Sequence, residues 1–536
     1  MQRRTFLKHS AAAAGAIGSG VFVERLRAQS APVVETAAGR VRGFTKNKVL
    51  GFRGVPYGAS TAGAGRFMPP AKPKPWTGVK DCIELGGRSP QVMPGIEPPE
   101  VLATDRREAL SEDCLVLNVW SQALTGKRPV MVWLHGGGFT GGSAGFSIYD
   151  GANLARKRDV VVVGVNHRLN AFGYLYLAEI GGPKYAQSSN VGQMDIVAAL
   201  EWVRDNIARF GGDPGNVTIF GQSGGGAKVS TLLAMPSAKG LFHRAIGQSG
   251  AALRGTPKDM ATKNAVAFLA SLGLKPNQVD ELQKMPMDKV IAALRGPAGA
   301  AFGPVVDGKT LPTHPFDPAA PEASATVPLL LGSTEDEMGF FAGGPLFPYS
   351  LDPMDDAALK QNLKKFLRAD DADTAKVIDV YKKTHKGISD IDVFMRATAD
   401  VGVRSTVLAE ADLKVAQGKA PAYVYYFSWR SPVREGKMKA YHTLEIPFVF
   451  ENVDEAKTMT GTGQDRYALQ DKMSEAWTNF ARTGNPSGKG VGNWPAYNTT
   501  QRPTMILDNQ CKVVNDPNKE ERLTLATIKR APGGPF

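Results

Sequence analysis

The chain has 536 residues, 43% of them hydrophobic and 21% charged, with 59 glycines and 36 prolines; it is long enough to bury a large core and too apolar to be disordered. No apolar run reaches the roughly eighteen residues of a membrane-spanning helix, no repeat is visible, and three cysteines without zinc-ligand spacing exclude a disulfide scaffold or a zinc module. The formal charge of +13 falls to +9 beyond residue 30, with 59 basic against 50 acidic side chains, and it forms no basic block and no basic–aromatic interleaving, so nucleic acid is not an expected partner.

The first thirty residues read as an address. Gln2-Arg3-Arg4-Thr5-Phe6-Leu7-Lys8 precedes a weakly apolar stretch from Ala11 to Val23, with small residues at Ala28 and Ser30, which is the layout of a cleavable signal peptide. Paired arginines followed by Phe-Leu-Lys resemble the twin-arginine signal. Residues 1–30 are therefore expected to be removed near Ser30, with the twin-arginine export machinery as partner of the precursor and a periplasmic or secreted mature protein. A retained amphipathic helix is the competing reading, and Gly15, Gly18 and Gly20 weaken it. An oxidising compartment would allow Cys82 and Cys114 to pair, closing a loop that contributes roughly 4 kcal/mol. A bridge and two free thiols both stay open at this point, with Cys511 left over either way.

From Cys114 onward apolar runs alternate with helical patterns. Leu115–Trp120, Val130–Leu134 and Val160–Val165 read as strands, the last two almost unbroken in apolar residues, as suits strands buried on both faces. Asn190–Phe210 reads as a helix with Ile196, Leu200, Val203 and Ile207 on one face and Gly211-Gly212 as its stop. Val217–Phe220 is the next strand and Ala227–Ala234 the next helix; Val327–Leu331, Ala422–Phe427 and Thr504–Leu507 supply later strands. This alternation predicts an α/β fold with a mostly parallel sheet covered on both sides, spanning residues 31–536 as one large domain. The stretches 255–320 and 340–420 are more helical and fit insertions over a sheet edge, while Pro69–Pro75 and Pro94–Pro99 read as loops.

The pattern Gly-x-Ser-x-Gly occurs twice. Gly221-Gln222-Ser223-Gly224-Gly225 sits between a strand and a helix, the context of a nucleophile elbow, in which flanking glycines remove side chains that would clash in a strained turn. Gly141-Gly142-Ser143-Ala144-Gly145 has no strand immediately before it and reads as a flexible loop. Ser249 also follows a strand, lacks the closing glycine, and is expected to support the site as a nearby hydroxyl. Ser223 is the candidate nucleophile. A serine hydroxyl needs an imidazole to take its proton and a carboxylate to orient that imidazole. In the order Ser, acid, His only His243, His314, His385 and His442 qualify. His243 reads as local packing behind the elbow helix, His314 is wedged in a proline loop, and His385 ends a lysine-rich helix; His442, in a loop after a strand, can reach over the sheet. The acid should also follow a strand, and Glu335, Asp336 and Glu337 after Val327–Leu331 remain equal candidates. His135-Gly136-Gly137-Gly138 follows another strand, and its glycines can turn several N–H groups toward one point, where with the N–H of Gly224 they would hold an oxyanion.

These features together resemble the type-B carboxylesterase family, which includes cholinesterases and bacterial para-nitrobenzyl esterases. The resemblance runs from about Val33 to the C-terminus. It is carried by Phe52-Arg53-Gly54-Val55-Pro56-Tyr57, Arg66-Phe67, Ser111-Glu112-Asp113-Cys114-Leu115, Asn118-Val119-Trp120, Asn206-Ile207, Phe210-Gly211-Gly212-Asp213-Pro214 and Val217 to Gly221. It implies an α/β-hydrolase fold and a serine carboxylesterase that needs no metal or organic cofactor and takes a small-molecule ester. Mapped by position, the family's nucleophile is Ser223, its acid Glu337, its base His442 (in His442-Thr443-Leu444-Glu445-Ile446-Pro447) and its oxyanion donors Gly137, Gly138 and Gly224. It also implies ion pairs Arg66–Glu112 and Arg168–Asp195. The chain departs from the pattern in having Gln222 for the usual Glu and Gly224 for the usual Ala. The family's first disulfide cysteine would fall near Ser89, seven residues after Cys82, which argues against a Cys82–Cys114 bridge. No aromatic residue lies between Trp76 and Trp120, so the tryptophan face that holds quaternary ammonium in cholinesterases has no counterpart there. The alternatives to ester hydrolysis are a catalytically silent binding protein of the same family, or the same triad acting on carbamates or amides.

Overall fold

The structure is a computed structural model, and it describes residues 31–92, 108–300 and 302–531. The expected signal peptide and Pro94–Pro99 lie outside these residues. Near the N-terminus β1 (Val33–Thr36), β2 (Gly39–Arg42) and β5 (Val79–Asp81) form a small sheet. The large sheet has eleven strands. In chain order they are β3 (Phe44–Lys46), β4 (Val49–Pro56), β6 (Val116–Ser121), β7 (Arg128–Leu134), β8 (Val161–Val165), β9 (Gly212–Gln222), β10 (Arg244–Gln248), β11 (Leu329–Thr334), β12 (Ala422–Phe427), β13 (Pro503–Leu507) and β14 (Lys512–Asn515). Their spatial order is β14-β13-β12-β11-β10-β9-β7-β8-β6-β4-β3. From β8 to β13 every neighbouring pair is parallel, and antiparallel strands close both edges.

The apolar runs land where a parallel sheet needs them. Every residue of β6, β8, β11 and β12 is buried, so both faces of the sheet are covered. The predicted helix over 190–210 is an α-helix from Val191 to Asn206 followed by a tighter turn over Ile207–Phe210. All four face residues are buried, and Gly211 ends the element at φ +80°. Gly212, expected to share that stop, instead begins β9, which is longer than the predicted Val217–Phe220. The two insertions are helical, with Lys258–Ser271, Val279–Lys284 and Met287–Ala293 in the first and Asp356–Leu367, Asp371–Thr384, Asp390–Ala399 and Ser405–Ala416 in the second. Three of the latter four start at a side-chain cap, in which Asp355, Asp370 and Ser389 accept from the N–H three residues on. Among the described residues no helix is long and apolar enough to cross a membrane.

Both implied ion pairs are present and buried. Arg66 binds Glu112 through two contacts of 2.7 and 2.6 Å, and Arg168 binds Asp195 through 2.8 and 2.6 Å. Each arginine spends its remaining N–H groups on backbone carbonyls, those of Leu282 and Met285 for Arg66 and that of Met68 for Arg168. The pairs thus tie the Gly63–Phe67 turn and the Val191–Asn206 helix to segments remote in sequence. Breaking such a pair leaves an uncompensated buried charge. Cys82 and Cys114 are not bridged; both are free, buried thiols, and burial pushes Cys82 up to about 11 and raises Cys114 as well. Ser89, near where the family would place its first disulfide cysteine, is buried and accepts the Leu169 N–H on its hydroxyl at 3.1 Å.

Candidate active site

Strand β9 ends at Gln222 and the next helix begins at Gly224, so the whole reversal falls on Ser223, at φ +57° and ψ −124°. Its N–H donates to Gln248 O at 2.8 Å, pinning the turn to the end of β10. Glycines make the turn possible by proximity. A Cβ on Gly225 would overlap the Leu134 carbonyl at the end of β7, and one on Gly224 would overlap the backbone of Gly138. The departure at Gly224 therefore has a steric reason. The elbow helix and the glycine loop after β7 are in backbone contact, with no room for alanine.

His442 lies in the loop after β12, nearly buried, with its Nδ1 2.5 Å from Glu337 Oε2. Glu337 is fully buried at the end of β11; its other oxygen accepts the Thr334 N–H at 2.8 Å, and its carbonyl accepts the His442 N–H at 3.3 Å. The rings of Phe340 and Phe341 flank the imidazole at 5.8 and 5.0 Å. The three candidate carboxylates are thereby separated. Glu335 is paired with Arg396 and Arg430, and Asp336 accepts from the Ala440 N–H and is pushed up to about 6, first by burial and then by Glu335. Of the three, Glu337 alone meets the imidazole. The remaining histidines are engaged elsewhere: the rings of His243 and His314 accept the N–H groups of Val217 and Gly255, and His385 meets Glu521.

Two secondary expectations change. Ser249 N–H donates to Gly332 O at 2.8 Å, but its buried hydroxyl has no partner among the described residues, so its segment supports the elbow through backbone alone. Ser143 is no part of a flexible loop. It is fully buried and its hydroxyl bonds Glu108 at 2.5 Å and Asn166 at 3.2 Å. The predicted oxyanion loop has Gly137 and Gly138 at φ +90° and +61°. The carbonyl of Gly137 accepts from Gly141 and Thr140, whereas the N–H groups of Gly137 and Gly138 have no acceptor among the described residues.

Three functional side chains went unnoticed in the sequence. Gln222 was weighed only as a departure, yet its amide nitrogen lies 3.1 Å from His442 Nε2. With Nδ1–H donated to Glu337, Nε2 carries the lone pair and accepts from Gln222, which fixes the tautomer. Glu445 is buried near both Glu337 and His442, bound to Gln248 at 3.3 Å, and burial followed by the Glu337 charge pushes it up to about 7. Gln248 is in turn held by Trp477 Nε1 at 3.0 Å. Lys228 lies on the elbow helix beneath the glycine loop, fully buried. Its spacing to Ser223 was legible, but its partners, some 90 residues away, were not. Among the described residues no group of three or more His, Cys, Asp or Glu is placed to hold a metal ion.

Comparison with known proteins agrees with this geometry: a profile described as the carboxylesterase family matches residues 30–526. The chain belongs to the carboxylesterase family. A para-nitrobenzyl esterase from Bacillus subtilis is 38% identical over 514 residues, covering 93% of this chain and 99% of that protein. Carboxylesterase 1D from Rattus norvegicus is 34% identical, covering 87% and 88%. A solved PNB esterase structure superposes with a TM-score of 0.79 at 35% identity, covering 94% of this chain and 100% of the other. The fold is the α/β-hydrolase fold, and the protein is a type-B carboxylesterase that hydrolyses carboxylic esters.

Two predictions concern this carboxylesterase's site. Glu445 keeps its proton up to about pH 7 when folded, against an ordinary value of 4.5. The folded state then holds more protons than the unfolded one between these values, so Glu445 lowers stability progressively from pH 4.5 to 7. Thermal melts of Glu445→Gln, which has no proton to lose, should gain on wild type from pH 5 to pH 8, by on the order of 1–3 kcal/mol. An unchanged difference across that range would contradict the assignment. Gly224→Ala forces the oxyanion loop away from the elbow, and since a displacement near 1 Å can cost about 100-fold in rate, kcat for p-nitrophenyl esters should fall at least about tenfold. A variant with wild-type kcat would show that the two backbones are not locked together.

Proposed function

We propose that this carboxylesterase acts through an acyl-enzyme on Ser223, with His442 as general base and acid and Glu337 as the group that orients it. The observation that carries this reading is the imidazole held at Nδ1 by a buried carboxylate, with its Nε2 lone pair directed to the residue next to the elbow serine. Ser223 Oγ attacks the ester carbonyl carbon while its proton passes to Nε2, the hydroxyl taking the place of the Gln222 amide there. The imidazolium that forms is stabilised by Glu337. The carbonyl oxygen becomes an oxyanion received by the N–H groups of Gly137, Gly138 and Gly224. Collapse breaks the bond to the alkoxide, which leaves as alcohol with the proton from His442. Water, deprotonated by His442, then attacks the acyl carbonyl, releases the acid and restores Ser223.

The substrate is read as a neutral ester. His442 is lined by two phenylalanines, and the segment that carries the cation-binding tryptophan in cholinesterases has no aromatic residue from 77 to 119. Hydrolysis of p-nitrophenyl acetate, butyrate, octanoate and laurate should be measured on wild type, Ser223→Ala, His442→Ala and Glu337→Gln. The first two variants should lose at least about 1000-fold in kcat with melting temperatures close to wild type, and Glu337→Gln should lose less. A folded Ser223→Ala variant with wild-type activity would overturn the mechanism.

We also propose that residues 1–30 export the precursor through the twin-arginine pathway and that the mature enzyme is periplasmic or secreted. The support is the order of basic, apolar and small residues in that segment. Replacement of Arg3 and Arg4 by lysine should leave the full-length protein in the cytoplasmic fraction of a bacterial host. Unchanged export of that variant would refute the twin-arginine reading.

A further inference from the structure

An oxyanion loop made of glycines has a weakness of its own. Gly136, Gly137 and Gly138 carry no side chains, and two of them sit at positive φ, so their peptide planes are held by contacts from neighbouring groups, among them the His135 ring 2.8 Å from the Gly136 carbonyl. Rotation of one plane would turn an N–H away from the substrate oxygen. The turn formed by Gly141 and Thr140 on the Gly137 carbonyl restrains the segment from outside. The elbow helix abuts the loop through the Gly224 backbone, and from the same helix the Lys228 side chain donates to two of the loop's carbonyls.

Lys228 lies one helical turn past Gly224, fully buried, with Nζ donating to Gly138 O at 2.7 Å and to His135 O at 3.1 Å. These two carbonyls belong to the peptides on either side of the pair that carries the Gly137 and Gly138 N–H groups. The Phe139 ring covers the ammonium at 5.4 Å. Among the described residues no carboxylate forms an ion pair with Lys228, and burial lowers it to about 7. The titratable groups that face it are His135 and His167, stacked on each other at 4.9 Å. Burial pushes His135 down to about 3 and lowers His167 too, so neither competes for a proton near neutrality. A buried lysine without a counter-ion is costly to fold, and stability gives no reason for it here.

We propose that Lys228 is the positioning residue of the oxyanion loop, bracketing the glycine segment by its two carbonyl contacts so that the Gly137 and Gly138 N–H groups stay directed at the substrate oxygen. The proposal rests on the reading of Ser223 as nucleophile. Lys228 does not touch the substrate; it acts through the loop, and either its charged or its neutral form can donate to both carbonyls.

The test compares wild type with Lys228→Met, which keeps the length and loses the donors, and Lys228→Gln, which keeps an amide donor on a shorter stem. Each is assayed for kcat and KM on p-nitrophenyl butyrate, for inhibition by an alkyl trifluoromethyl ketone, whose adduct with Ser223 places an oxyanion in the loop, and for melting temperature. Lys228→Met should lose roughly 10- to 100-fold in kcat with KM within about threefold, the scale of a slightly misplaced catalytic group. The ketone's inhibition constant should weaken in parallel, and Lys228→Gln should recover part of both. A folded Lys228→Met variant with kcat and ketone affinity within about twofold of wild type overturns the proposal while leaving the esterase mechanism intact. Should Lys228→Met fail to fold, Lys228→Gln decides: reduced kcat with weakened ketone inhibition supports the proposal, and wild-type values for both overturn it. Wild type that is silent on the ester and unaffected by the ketone overturns the Ser223 mechanism, and the Lys228 proposal with it.

Discussion

A serine at φ +57° and ψ −124° persists only where its surroundings allow no relaxation, and around Ser223 those surroundings are backbone. Gly225 abuts the end of β7, Gly224 abuts Gly138, and Gly250 abuts Ser223 itself from the end of β10. The strand ends in question are neighbours in one sheet, β7 beside β9 beside β10. The parallel register therefore sets the distance between nucleophile and oxyanion loop, and the glycines let that distance be short. A side chain on either surface would widen the gap by about a methyl group, far more than hydrogen bonds to an oxyanion tolerate.

The same register places acid and base. β11 is the next strand after β10 and β12 the next after that, and Glu337 and His442 leave from the loops that follow them. Glu337 follows β11 closely, whereas His442 sits on the long segment between β12 and the helix at Ile446, and the His442 N–H on the Glu337 carbonyl ties that segment back to the acid. The buried pairs Arg66–Glu112 and Arg168–Asp195 join loops and helices to one another rather than contacting the triad.

How much of this could be read in the sequence follows from the range of the forces involved. The strands at Val130–Leu134, Val160–Val165 and Ala422–Phe427 were legible because burial on both faces demands unbroken apolar runs, which is a local signal. The elbow was legible because strand, turn and helix are contiguous. The acid was not: three carboxylates stand side by side after β11, and which one faces the imidazole is settled by the turn over Glu337–Phe341 and by arginines contributed from elsewhere. Position in the family pointed to Glu337 where spacing could not. Ser143 was misjudged as mobile for a similar reason. A glycine-rich segment looks unconstrained until Glu108 and Asn166 close over it. Lys228 and Glu445 were invisible as perturbed groups, because desolvation depends on the whole fold and leaves no trace in spacing.

Those two residues also bear on the charge balance of the reaction. A developing oxyanion and a developing imidazolium favour one nearby carboxylate, paired with the imidazole, and disfavour a second that would repel the oxyanion. Glu337 is held by hydrogen bonds to its charged form, from Thr334 N–H and from the imidazole. Glu445, as deeply buried, accepts from its own N–H and a long contact from Gln248, and burial followed by the neighbouring Glu337 charge keeps its proton to about pH 7. On the opposite side of the elbow, Lys228 presents N–H donors to the loop without an acidic partner, so the oxyanion loop meets a positive or neutral neighbour throughout. Electrostatic preorganisation here is consequently a matter of which buried groups are left without partners, and the fold makes that choice in residues that touch neither substrate nor nucleophile.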